Sequence, residues 1–336
     1  MSNNTSNRGF NRRSFLKVAT AASVASVIGL PSLGMERVLA ARRAKDSYKM
    51  IFIEVQPDAV AGSWSQGIAE VLKTQQIIDY QLLDGQSKVD VQISLMDTAI
   101  TQGVDAIFLQ PTDSVAVGPS IQKAKDAGIP VITLNIDSTE AHASHVEMNH
   151  YFGAIDIADA LGKAMGGKGN VVILNAPPGI IIRDQRTNGF KKGLEKYPDI
   201  KIIADQSAEW DRKKAADVLS ALLVANKDIT GVYGVNDEMA LGAVDVLKSK
   251  GLLGKVMVFG NDGEKAALES IEAGELTGTQ YTDVFQQGRF AGSVATVLAT
   301  GGVNPTAFQQ QSHLLMPYFI LTKDNVGQIQ PNQRWG

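Results

Sequence analysis

Residues 231–242 read G-V-Y-G-V-N-D-E-M-A-L-G. An apolar run of strand length stops at Asn236, Asp237 and Glu238, and a helical pattern begins at once. The same order of apolar run, polar tip and amphipathic segment recurs from residue 47 onward, and that recurrence decides the fold class. Strand-length runs lie at 47–55, 79–83, 106–109, 131–134, 144–147, 171–175, 201–204, 231–235, 256–260 and 276–281. Helical segments include 89–101, 116–125, 152–165, 186–196, 215–225, 240–249 and 285–300. Val89, Ile93, Met96 and Ile100 share one helical face. In A-K-D-A-G-I-P at 124–130, Gly128 closes a helix and Pro130 enters the next strand.

Near-continuous apolar strands alternating with amphipathic helices predict parallel sheets covered on both faces. That many strands exceed one comfortable doubly wound sheet, so the expectation is α/β with two doubly wound parallel-sheet lobes. In such sheets a ligand binds outside the carboxyl ends of the strands. Those ends are polar here. Glu54 closes the first strand, with Gln56, Asp58 and Trp64 beyond it. Gln110, Thr112 and Asp113 follow the third strand, and Asn135, Asp137 and Ser138 the fourth. Asn175 leads into Pro177-Pro178-Gly179 and then Arg183, Asp184 and Arg186. Later ends carry Glu209, Trp210 and Asp211, then Asn236, then Asn261 and Asp262, then Gln280, Thr282 and Asp283.

Capping explains much of this, because Asn, Asp, Ser and Thr accept bonds from the free N–H groups of a following helix. Asp113, Ser114 and Asp211 are read as caps, and Asp237 and Glu238 as first-turn residues serving the helix dipole. Capping has no use for Trp64 and Trp210. A flat ring stacks on the C–H faces of carbohydrate while carboxylates, amides and arginine take its hydroxyls.

Composition excludes several classes. The chain has 336 residues, 44% hydrophobic and 20% charged, with a formal charge of −3, so no general affinity for nucleic acid or anionic membrane follows. It has no cysteine, which removes disulfides, thiolate metal sites, Cys nucleophiles and a lipoprotein anchor. His142, His145, His150 and His313 form no tight metal-ligand motif; His142 and His145 are read as surface and hinge residues, and neither metal nor cofactor is expected. Residues 1–40 hold N-R-R-S-F-L-K at 11–17, a short Ala/Ser-rich apolar stretch and Val38-Leu39-Ala40, the order of a twin-arginine signal peptide. The mature protein is therefore expected free in a periplasm.

The motifs together resemble the ribose-type periplasmic binding proteins of ABC transporters, relatives in fold of LacI-type effector domains. The resemblance rests on Q-G-V-D-A-I-F-L-Q-P-T-D-S (102–114), D-A-G-I-P-V-I-T (126–133), R-T-N-G-F (186–190), W-D-R (210–212), V-N-D-E-M-A-L-G-A (235–243) and G-N-D-G (260–263), in that family's order. It implies a three-segment hinge with crossings near 148, 282 and 312. The lobes would then be 47–148 plus 283–311 and 149–282 plus 312–333. It implies a solute-binding protein without catalysis that carries a monosaccharide or related polyol in the interlobe cleft to a membrane permease, as a monomer. Asn236 and Asp262 match the amide and carboxylate that grip sugar hydroxyls, and Trp210 the stacking aromatic. Gln110 stands where Asn is usual, Asn135 where Asp is usual, and Ile136 replaces an Arg. Thr282 takes the place of a Gln, with Gln280 nearby. The clamping Arg aligns by count with Asp184, leaving Arg183 as the candidate. The first loop, Q-P-D-A-V-A-G-S-W, lacks the family's aromatic pair, which argues against ribose itself. Trp64 is either a shifted stacking ring or helix-packing core. Glu54 is either an added carboxylate in the cleft or an edge residue, and Asp58 and Asp137 complete the candidate contacts. The alternatives are a receptor subunit for a chemotaxis or sensor-kinase system, and a glycoside-processing enzyme using two of Asp58, Asp137 and Asp262.

Overall fold

In the computed structural model, residues 47–74, 79–300 and 312–336 are described. The expected leader at 1–40 and the segment 301–311 lie outside them. The apolar runs pair into two six-stranded sheets. The first sheet uses β1 (Lys49–Glu54), β2 (Asp79–Asp84), β3 (Ala106–Leu109), β4 (Val131–Leu134), β5 (Ser144–Glu147) and β11 (Ser312–Leu315), in the order β11-β5-β4-β3-β1-β2. The second uses β6 (Lys168–Asn175), β7 (Asp199–Ser207), β8 (Ile229–Gly234), β9 (Met257–Asp262), β10 (Gly278–Tyr281) and β12 (Phe319–Thr322), in the order β12-β10-β9-β8-β6-β7. All pairings are parallel except β12 against β10. The central strands β3 and β4 are wholly buried, while the edge strand β2 has no fully buried residue, as position in a covered sheet requires.

Helices fill the connections: α1 (Ala59–Thr74), α2 (Val89–Gln102), α3 (Gly118–Asp126), α4 (His150–Ala164), α5 (Ile181–Leu194), α6 (Arg212–Ala225), α7 (Asp237–Ser249), α8 (Lys265–Glu272) and α9 (Val284–Thr300). Gly128 takes φ +74 just past α3, the left-handed turn its position predicts. Packing partners are α1 with α9, α4 with α5 and α6 with α7. Among the described residues no helix is long and apolar enough to cross a membrane. Lys45–Gly336 forms one compact unit.

The chain passes between the sheets at 148–149, after β5, and at 282–283, after β10. The third passage differs from the expected boundary near 312. Residues 312–315 pair with β5 in the first sheet, so the crossing falls at 316–318. Strands β11 and β12 are only four residues each and carry no alternation strong enough to mark them. The tail is anchored: Trp335 is buried and its indole N–H donates to the Thr282 carbonyl at 3.0 Å.

Candidate functional site

Each sheet reverses its order beside its first strand, β3-β1-β2 in one and β8-β6-β7 in the other. Ligand crevices form outside the carboxyl ends of strands at such points. A cavity of about 620 Å³ lies there, lined from both sheets. The first lobe contributes Val55, Gln56, Asp58, Trp64, Gln110, Pro111, Asn135 and Ile136, and the second Ile180, Ile182, Arg186, Trp210, Asn236, Glu238, Asp262 and Glu264.

Of the residues expected from sequence, Asp58, Trp64, Gln110, Asn135, Trp210, Asn236 and Asp262 share this cavity. Three of them are held in unusual backbone. Asn135, Trp210 and Asp262 have φ of 61°, 62° and 111°. Residues without a glycine's freedom rarely adopt such angles, and each costs roughly 1–3 kcal/mol. The chain spends that strain to turn side chains inward at the strand tips. Asn236 caps α7, with its side-chain oxygen accepting from Met239 N at 2.9 Å. Gln110 is buried, and its Oε1 accepts from Val55 N at 3.2 Å, which ties the first loop to β3.

Trp64 resolves in favour of packing. It is fully buried, lies edge-on to Phe52 and donates its indole N–H to Gln287 at 2.9 Å. It backs the cavity wall, and Trp210, half-buried, is the second indole that lines it. Asp58 caps α1 through Ala61 N at 2.7 Å.

Five expected residues do not line the cavity. Arg183 pairs with Asp184 at 2.7 Å. Asp137 accepts from Ser138 N at 2.8 Å and lies beside His142, away from the cleft. Of the three carboxylates considered for a glycosidase pair, only Asp58 and Asp262 therefore share the cavity. Gln280 and Thr282 are buried at the hinge, where Gln280 Nε2 donates to the Asn149 carbonyl at 3.4 Å and so joins two crossings. Glu54 is buried at the end of β1 with Oε2 lacking any protein partner. Burial, then the charges of Asp58 and Asp84, push its pKa to about 7.

The arginine of the cleft is Arg186, not Arg183. Only 3% exposed, it ion-pairs with Asp262 and donates Nη1 to the Val235 carbonyl at 2.5 Å. Its Nε donates to His150 Nδ1 at 3.2 Å. That contact fixes the tautomer, so His150 Nε2–H donates to Asn135 Oδ1 at 2.9 Å. A relay Asp262–Arg186–His150–Asn135 thus runs between the lobes. Burial and the neighbouring Arg186 hold the His150 pKa well below its ordinary value, so the ring is neutral. Asp237 stands in the first turn of α7, as expected from sequence. It is fully buried, and its carboxylate accepts from Gly263 N at 2.7 Å, Glu264 N at 2.8 Å and Thr279 Oγ1 at 2.6 Å. From that position it also props the loop that presents Asp262 and Glu264.

Sequence reasoning missed Glu264 and Glu238 as lining residues. Four carboxylates, Asp58, Glu238, Asp262 and Glu264, thus face one guanidinium among the lining residues. Burial and then the charges of Asp262, Glu238 and Asp58 raise the Glu264 pKa to about 8. Such a wall is rich in acceptors for hydroxyl hydrogens, with Trp210 beside them for an apolar face.

Comparison with known proteins gives the family and the fold. The family described as "Periplasmic binding protein domain" matches residues 51–302. A xylitol-binding protein of Mycolicibacterium smegmatis is 33% identical over 240 residues, covering 71% of this chain and 67% of the relative. The ribose import binding protein of Bacillus subtilis is 35% identical over 223 residues, covering 65% and 69%. The solved structure of an ABC transporter periplasmic solute-binding protein from Actinobacillus succinogenes, with bound D-allose, is 31% identical, with a TM-score of 0.77 over 84% of this chain and 100% of that one.

Proposed function

The chain belongs to the periplasmic binding protein domain family, and from that premise we propose that it is the solute-binding protein of an ABC importer for a monosaccharide or related polyol. The observation that carries this reading is the cavity between the strand tips of the two lobes. Its volume, about 620 Å³, lies in the range of small-molecule sites. Its polar groups are those that recognise hydroxyls: the Asp262–Arg186 pair, the Asn236 amide, and Glu238 and Glu264. Relatives that take xylitol, ribose or D-allose support the same substrate class.

The three crossings act as a hinge, and closure over the ligand marks the loaded state for a membrane permease. The twin-arginine leader supports delivery of the folded protein to the periplasm, where a monomer without catalytic turnover serves this role. Isothermal titration of residues 41–336 with xylitol, D-ribose, D-allose and other pentoses, hexoses and polyols tests the reading. One saturable site per chain is expected, with the ligand recovered chemically unchanged. Heat that never saturates, or a product released from a glycoside, would refute it. Export has its own test. Replacing Arg12 and Arg13 by Lys is expected to stop export, and wild-type amounts in the periplasm would remove the leader assignment.

A further inference from the structure

We propose that His145, Glu147 and His313 form a binding site for one zinc-like divalent metal ion at the root of the hinge, apart from the ligand cavity. The placement follows from sheet geometry. His145 and Glu147 are two residues apart on β5 and share one face. His313 on β11 stands directly opposite His145 in the parallel register, with the two rings 5.0 Å apart. The donor atoms converge. Glu147 Oε2 lies 3.2 Å from His145 Nε2, and Oε1 lies 2.8 Å from His313 Nε2. All three donors fall within 4.8 Å of one another. Ligand atoms around a tetrahedral zinc with bonds of about 2.0–2.1 Å are roughly 3.4 Å apart, so small side-chain shifts suffice.

Two imidazoles and a carboxylate are a donor set that zinc and its first-row neighbours favour, with a fourth position left for water. His145 and Glu147 are buried and form the floor, while the His313 side chain is 50% exposed and leaves a way in.

Hydrogen bonds behind His145 hold its ring in this orientation. His142 Nδ1 lies 2.7 Å from the Glu140 carbonyl, which only accepts, so Nδ1 carries hydrogen. His142 Nε2 faces Thr133 Oγ1 at 2.8 Å. Thr133 has one hydroxyl hydrogen, with that nitrogen and Asp137 Oδ1 at 3.3 Å both in reach as acceptors. Its oxygen accepts from His145 Nδ1 at 2.8 Å. His145 Nε2 is the ring nitrogen that faces the Glu147 carboxylate, 3.2 Å away. Thr133 is the outer partner that orients a ligating imidazole. The competing cation is a proton held in the same chain, with Asp137 Oδ1 3.2 Å from His142 Nε2 as its counter-charge.

Placement gives such an ion a mechanical meaning. Glu147 is the last residue of β5, just before the crossing at 148–149, and β11 runs into the crossing at 316–318. Metal would clip together two of the strands that feed the hinge.

The test uses untagged protein from residue 41, stripped with chelator, dialysed against zinc and assayed for bound metal. Wild type is expected to take up one zinc per chain, with an X-ray absorption signature of two imidazoles and oxygen. His313→Ala, at an exposed position, is expected to fold as wild type by circular dichroism and to weaken zinc binding at least tenfold. Glu147→Gln is expected to do the same. Absence of stoichiometric zinc in wild type would assign the cluster to the proton and overturn the proposal. Zinc retained at wild-type affinity in folded His313→Ala would overturn it as well.

Discussion

Arg186 does two kinds of work at once: its guanidinium neutralises Asp262 and also holds the end of β8 and the His150 ring. Removing one partner of a buried ion pair leaves the other charge unpaired, at about 3–5 kcal/mol. Arg186→Ala is accordingly predicted to lower stability by that amount in urea unfolding, and a change below about 1 kcal/mol would mean that the pair is solvated. Trp210 is different, since it is half-buried and lines the cavity. Trp210→Ala is predicted to weaken ligand binding by about 1–3 kcal/mol, the value of burying a large apolar side chain, while leaving the melting temperature nearly unchanged. Unaltered affinity would remove the ring from the site. The raised carboxyls predict a pH profile. Glu264 at about 8 and Glu54 at about 7 both stand above their ordinary 4.5, with burial as the first cause in each. The folded chain thus binds more protons than the unfolded chain between those values, so stability falls as pH rises through the window. The ligand-free protein is predicted to melt lower at about pH 8 than at about pH 5, and Glu264→Gln to make the fall shallower. A profile that rises over that window would contradict the assignment. Position at a strand tip was legible in sequence: Asn236 and Asp262, expected there, do line the cavity. Arg183 was preferred to Arg186 because the turn after Pro177-Pro178-Gly179 fixes no count, and only the coil of α5 shows which arginine faces inward. Asp237 looks the same in sequence whether it caps a helix or props a neighbouring loop.

At the scale of elements, close helix contact depends on missing side chains. A Cβ on Gly288 of α9 would strike the Trp64 carbonyl of α1, and one on Gly67 would strike the Phe285 carbonyl. Gly62, on the same α1, has open space around it. Gly288→Ala is predicted to lose about 1–3 kcal/mol through overpacking, whereas Gly62→Ala gains up to about 1 kcal/mol in helix propensity. Equal effects from the two in urea unfolding would contradict the packing described. Strong periodicity made the long helices and the buried central strands readable from sequence. The strands β11 and β12 were not readable, because four residues at a sheet edge carry too little pattern and their pairing is decided by distant partners. His142 and His145, read from pattern as surface and hinge residues, are buried, and β11 pairs with β5 at His145.

At the scale of the molecule, two sheets of like winding present their strand tips to one cavity, and three crossings join them. The fold class followed from repetition along the chain, since each unit of strand, tip and helix reports the same architecture. The contents of the cavity did not follow as fully, because a lining residue is defined by both lobes together. Glu264 sits one residue beyond a recognised motif and enters the site only when the second lobe is set against the first. The measurement that bears most directly on the central claim is a thermal-shift screen of residues 41–336, wild type and Asp262→Asn, against pentoses, hexoses, polyols and cyclitols. Binding to the folded state alone stabilises it by about 2.7 kcal/mol at a hundredfold excess over Kd. The account predicts a raised midpoint with one sugar or polyol in wild type and none with Asp262→Asn. Cooperative melting at an unchanged midpoint with every compound would contradict it.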